Sequence, residues 1–193
     1  MRRFEVTEIG RRGFCLLGAN CLLAASADYE SARRKAELIE SEKARPGSSI
    51  TFSVAEANAY AREEARREVG DGLRQARVWF GYGKASGSAV VDFVKLQTAR
   101  GKPPGLLLRW MLQGEKELQV GVRVESRAGQ AKIDIDEVYI EGIGIPLSVV
   151  NVLVEYYLLP RFPEAKIGQW FELRHQVEQV IVTPSGVTLK IKG

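Results

Sequence analysis

Apolar positions along this chain fall into three successive patterns. At the amino terminus, Phe14-Cys15-Leu16-Leu17-Gly18-Ala19 runs on through Leu22, Leu23, Ala24 and Ala25 with almost no polar interruption. From Asp28 to Ala44 the chain is charged, and Leu38 and Ile39 are its only strong apolar pair. That stretch favours helix but offers little to bury, so it is expected as a tether or loosely docked helix. Pro46-Gly47-Ser48-Ser49 breaks it. Ile50 to Ser53 then reads as a short strand, and Ser53 with Glu56 has the spacing of a capping box. The helix so opened is expected to run to about Val69, with Val54, Ala57, Ala61 and Ala65 facing inward. Gly70-Asp71-Gly72 stops it.

Beyond this point the period falls to two. Gln75 to Tyr82 and Ser88 to Leu96 are strand-like, with Gly83 to Gly87 as the expected turn. A short apolar helix is expected from Leu106 to Leu112 after Pro103-Pro104. Val120, Val122 and Val124 alternate with polar or small neighbours, and Ala128-Gly129-Gln130 turns the chain into Lys132 to Glu141. There Ile133 and Ile135 are expected on one face, Asp134 and Asp136 on the other. A helix is expected between Pro146 and Pro160, and a last hairpin, Val177 to Thr183 and Val187 to Ile191, around Pro184-Ser185-Gly186. The order of elements predicts an α+β domain with antiparallel strands.

The first 27 residues have the organisation of a signal peptide. Arg11-Arg12 precede the apolar run, which ends at Ala25-Ser26-Ala27, a small-x-small cleavage pattern. The run is shorter than the roughly 20 residues of a spanning helix. Gly10-Arg11-Arg12-Gly13-Phe14 is similar to a twin-arginine export motif with glycine replacing the hydroxyl residue, so the twin-arginine and Sec routes both stay open. Cleavage after Ala27 would remove Cys15 and Cys21, the chain's two cysteines, and with them disulfide, thiol-redox and cysteine–metal chemistry.

Charge then narrows the partners. The net charge is +4, and two of those charges belong to the first 27 residues. The remainder is too balanced for a nucleic-acid partner. Catalytic signals are thin. The single histidine, His175, has no nucleophile motif to serve and is expected on the surface. Asp134, Asp136 and Glu137 could suggest a hard metal, but alternation puts the aspartates on a solvated strand face. Gly81, Gly83 and Gly87 are followed by strand-like residues, unlike a phosphate loop. Accordingly no catalytic residue, metal site or cofactor is expected. The helix after Pro146 is more informative, because Ser148, Asn151 and Glu155 are its only polar stripe. Its wide apolar surface must be covered by sheet, partner or ligand.

Three segments together resemble a known family: Ser53-Val54-Ala55-Glu56-Ala57-Asn58; Val138-Tyr139-Ile140-Glu141-Gly142-Ile143-Gly144-Ile145-Pro146; and Val177 through Val187. Their arrangement resembles the LmeA-like and YceB-like periplasmic proteins, which are similar to the tubular lipid-binding (TULIP) superfamily. The resemblance covers about residues 48 to 193 as a pattern of elements. It implies a strongly curved antiparallel sheet wrapped around or packed on helices, a half barrel with an apolar groove for acyl chains. On that basis the expected organisation is a signal peptide (1–27), a charged helical tether or linker (28–47) and a lipid-binding-like domain (48–193). The expected function is non-catalytic binding or transfer of an acyl-chain lipid in the periplasm, with peripheral membrane contact. The groove is expected to be lined by Leu107, Trp110, Met111, Leu147, Val150, Leu153, Val154 and Leu158. The rival expectation is an envelope protein–protein interaction module that uses the same apolar surface.

Overall fold

A single serine joins the first strand to the second helix with no loop between them. In the computed structural model, which describes residues 13–93, 95, 113–155 and 167–193 and, except at 68 and 69, their side chains from residue 27 on, β1 (Ser49–Ser53) runs directly into α2 (Val54–Val69). Ser53 stays extended, its Oγ accepts from the Glu56 N–H, and Glu56 Oε2 accepts from the Ser53 N–H at 2.8 Å. The expected capping box is therefore present, satisfying amides that a helix start leaves without partners. Gly70, at a φ of 62°, closes the helix.

The charged segment after residue 27 is part of a longer helix, α1 (Gly13–Glu40), which packs along α2. Expected as a tether or loose helix, it instead buries Ala32 completely and Ile39 almost so. Tyr29 stacks on Tyr60 at 6.2 Å, and Lys35 pairs with Glu56 at 2.6 Å. On α2 the most buried residues are Glu56 and Ala59. The expected stripe of Val54, Ala57, Ala61 and Ala65 is only partly buried. The physical reason is that α2 has two neighbours, α1 on one side and a strand edge on the other.

That edge belongs to β2 (Leu73–Gly81), which follows a single 3-10 turn at Gly70–Gly72. Asn58 grips it: its amide donates to the Val78 carbonyl at 2.9 Å and accepts from the Val78 N–H at 2.8 Å. A side chain thus supplies both bonds that a neighbouring strand would have made, which blunts an aggregation-prone edge.

β2 pairs with β3 (Lys84–Asp92), β3 with β4 (Glu115–Arg127) and β4 with β5 (Gln130–Ile140), all antiparallel. Two short strands complete this sheet at β5, namely β6 (Ile143–Gly144) and β7 (Trp170–Glu172). The turn expected over Gly83 to Gly87 is tighter than that. Lys84 already pairs with Gly81, so only Tyr82-Gly83 turns, while Ser86 and Gly87 lie inside β3. Gly83 takes a φ of 64°, a left-handed conformation at the second turn position that glycine adopts without strain.

A second sheet, in the order β1-β9-β8, contains the carboxy-terminal hairpin of β8 (Val177–Thr183) and β9 (Gly186–Ile191). β8 holds the tips of two hairpins of the large sheet. Gly83 N–H donates to Val182, Gly129 N–H donates to Glu178, and the Val180 N–H donates to Ser126 Oγ at 2.8 Å. The architecture is therefore α+β, with a large open antiparallel sheet, a small one, α1, α2 and the short α3 (Leu147–Leu153). Two buried clusters result. One joins Ile39, Ala44, Val177 and Ile191 beneath the small sheet, and the other joins Val91, Phe93 and Ile140 in the large one.

Candidate functional site

Between those clusters lies a strip of the large sheet that shares only its Leu118–Ile140 end with the second of them. Strand pairing sets Leu118 opposite Ile140, Val120 opposite Val138, Val122 opposite Ile135 and Val124 opposite Ile133. Because side chains alternate, all eight project from one face, here called inner. Val91, Ala89, Leu118 and Ile140 close one end of that face, and Leu153 and Ile145 pack onto them. Ser126 marks the other end, where it meets β8. In the three middle pairs only Val138 is buried, and the other five side chains stay partly exposed. No charged side chain interrupts the strip between Leu118 and Val124, because Gln119, Gly121 and Arg123 alternate to the opposite face.

The expected groove residues of α3 separate into different roles. Val150 is 3% exposed, Leu153 packs against the Val91–Phe93–Ile140 cluster, and Val154 is partly exposed just beyond the helix. Leu147 is 59% exposed and does not line an enclosed site. The reason lies in helical spacing: Leu147 precedes Asn151 by four residues and so shares its outward side. Ser148, Asn151 and Glu155 are all exposed, as their stripe required. Leu107, Trp110, Met111 and Leu158 lie outside the described residues.

The candidate polar residues are dispersed. His175 sits exposed in a turn with a φ of 54°. Asp134 pairs with Lys132 at 2.9 Å, and Asp136 accepts from Arg123 at 2.5 Å. Among the described residues no group of three or more His, Cys, Asp or Glu is placed to hold a metal ion.

Sequence reasoning passed over a second feature, on the outer face of the same sheet. Trp79, Ser86, Gly121 and Glu137 line up across β2, β3, β4 and β5, and they border an open cleft of about 370 Å³. A bulge opposite Gly121 and Val122 turns both Asp136 and Glu137 outward, so the simple alternation read from Ile133 to Asp136 stops there.

Against known proteins, no family model, no curated protein and no solved structure matches the chain. No described helix is long and apolar enough to cross a membrane.

Proposed function

We propose that this chain binds an acyl-chain lipid, without catalysis, along the inner face of its large sheet. The observation that carries the reading is the middle of the strip, where Val120, Val122, Val124, Ile133 and Ile135 remain partly exposed between two buried clusters. A sheet face so uniformly apolar is normally the first surface that a two-layer domain buries. From Val120 to Val124 the strip extends about 14 Å, a length that suits a flexible hydrocarbon chain. In this reading the sheet curves around its ligand as in the tubular lipid-binding family, and Val154 lies at the groove's margin. Mass spectrometry of organic extracts from the purified protein should recover lipid. Ile135→Gln should reduce the recovered lipid at least tenfold, because it sets an unpaired amide against hydrocarbon. A protein that carries no lipid and takes up no fluorescent fatty acid would leave the strip as a contact surface for an envelope protein.

The same reading places the protein in the periplasm after removal of residues 1–27. Support comes from α1: among the described side chains, Tyr29, Ser31 and Lys35 make its contacts with α2, and all three lie beyond Ala27, so cleavage there leaves them in place. Asp28 would then stand at the start of the shortened helix with Glu30 in its first turn, residue types that favour a helix amino terminus. Amino-terminal sequencing of the periplasmic protein should begin at Asp28. Recovery of the intact chain from the cytoplasm alone would refute export.

A further inference from the structure

The outer face of the sheet carries a cleft on the side opposite the apolar strip. Three features that a merely solvated face does not need converge on one cleft. Trp79 stands 48% exposed at one wall, although an indole normally contributes to a core. Gly121 interrupts the interior of the long strand β4, a position where glycine weakens the strand and marks a close approach. A β-carbon there would lie 2.8 Å from Glu137 Cγ, so the glycine is what lets the Glu137 side chain lie down across β4. The bulge at Asp136 turns a second acid onto the same face, the kind of re-aiming that bulges provide near binding sites.

The charges in the cleft are largely balanced internally. Asp136 is held by Arg123 at 2.5 Å and faces Lys84 at 4.0 Å. Glu137 Oε2 accepts from the Tyr139 hydroxyl at 3.2 Å. Among the described residues, Ser86 Oγ and Glu137 Oε1 have no hydrogen-bond partner. What the cleft offers is thus an indole face, a carboxylate oxygen, a hydroxyl and the Lys84 ammonium around a floor of Ser86 and Gly121. Its 370 Å³ falls in the roughly 300–1,000 Å³ range of small-molecule sites.

We infer that this cleft binds a neutral saccharide. A pyranose ring has an apolar C–H face that can lie on Trp79. Its rim hydroxyls can donate to Glu137 Oε1 and accept from Lys84. A cleft with balanced charge favours such a ligand over a phosphorylated or strongly ionic one, which would require an uncompensated counter-charge.

Titration with chitohexaose, cellohexaose and maltohexaose, followed by calorimetry and tryptophan emission, tests the assignment. At least one of the three should bind with a dissociation constant below the millimolar range. Trp79→Ala should then weaken it at least tenfold, and Glu137→Gln and Gly121→Val should weaken it severalfold. Trp79→Phe, which keeps an aromatic face, should restore part of the affinity, and circular dichroism should find each variant folded. Failure of all three sugars to bind, or equal binding by folded Trp79→Ala, would overturn the proposal. Ile135→Gln lies on the other face and should leave sugar binding unchanged, so this test and the lipid test fail independently.

Discussion

Gly186→Ala should destabilise the protein by about 4 kcal/mol or more, enough to leave much of it unfolded. Gly186 begins β9 and pairs with Ser53, the residue that ends β1 and caps α2. A β-carbon at position 186 would sit 2.0 Å from the Phe52 carbonyl oxygen and 3.1 Å from its carbon. Neither atom belongs to a flexible side chain that could swing away. The φ of 136° adds a backbone conformation that alanine rarely adopts. Relief would require β1 to leave β9, and moving Ser53 would pull the capping box apart. Gly142→Ala is the control. It also has a positive φ, at 74°, but nothing lies within 4 Å of its added carbon. Its cost should therefore be about 1–2 kcal/mol, from the left-handed backbone alone. Urea denaturation of both variants separates the two costs. Equal losses would contradict the close approach of β1 to β9.

That junction was readable in the sequence because local chemistry fixes it. Ser53 followed by Glu56 states a helix start, and Pro184-Ser185-Gly186 between two apolar alternations states a hairpin. The docking of α1 was not readable. Its buried apolar residues are Ala32 and Ile39, and polar contacts from Ser31 and Lys35 supply much of the rest, so no wide apolar stripe announces it. The strip on β4 and β5 was half readable. Alternation put Val120, Val122 and Val124 on one face, but the register that sets them against Ile133, Ile135 and Val138 arises only in the fold. The outer cleft left the weakest trace. Trp79 in a strand pattern reads as core, Gly121 passes as one more non-apolar partner of the valines, and a bulge has no period by which to recognise it. The one available signal was glycine inside an otherwise strong strand.

Glu56→Gln should cost about 2–3 kcal/mol at pH 7, and that cost should disappear in acid. Glu56 is the one charged residue among the fully described buried set, and it ties three segments together. Burial alone would raise its pKa. The Lys35 ammonium, at 2.6 and 2.7 Å from its two oxygens, the Ser31 hydroxyl at 2.6 Å and the Ser53 N–H outweigh that and hold the pKa at about 2. Relative to an ordinary value of 4.5, the carboxylate is thus favoured by about 3 kcal/mol in the folded protein. Because the folded pKa is the lower one, this stabilisation is fully present above about pH 4.5. It fades as the pH falls through 4.5 toward about 2, where folded and unfolded states both carry the proton. The glutamine variant keeps an acceptor for the Ser53 N–H but loses the charge that Lys35 meets. Lys35 also donates to the Thr51 carbonyl at 2.7 Å and is partly exposed, so it is not left stranded, which keeps the cost below that of breaking a fully buried pair. Urea unfolding of wild type and Glu56→Gln between pH 7 and pH 2.5 should show the gap narrowing steadily below pH 4.5. A gap that stays constant across that range would mean that Glu56 acts through shape alone, and that α1 is held to α2 by packing around Ala32 and the Tyr29–Tyr60 stack rather than by this charge.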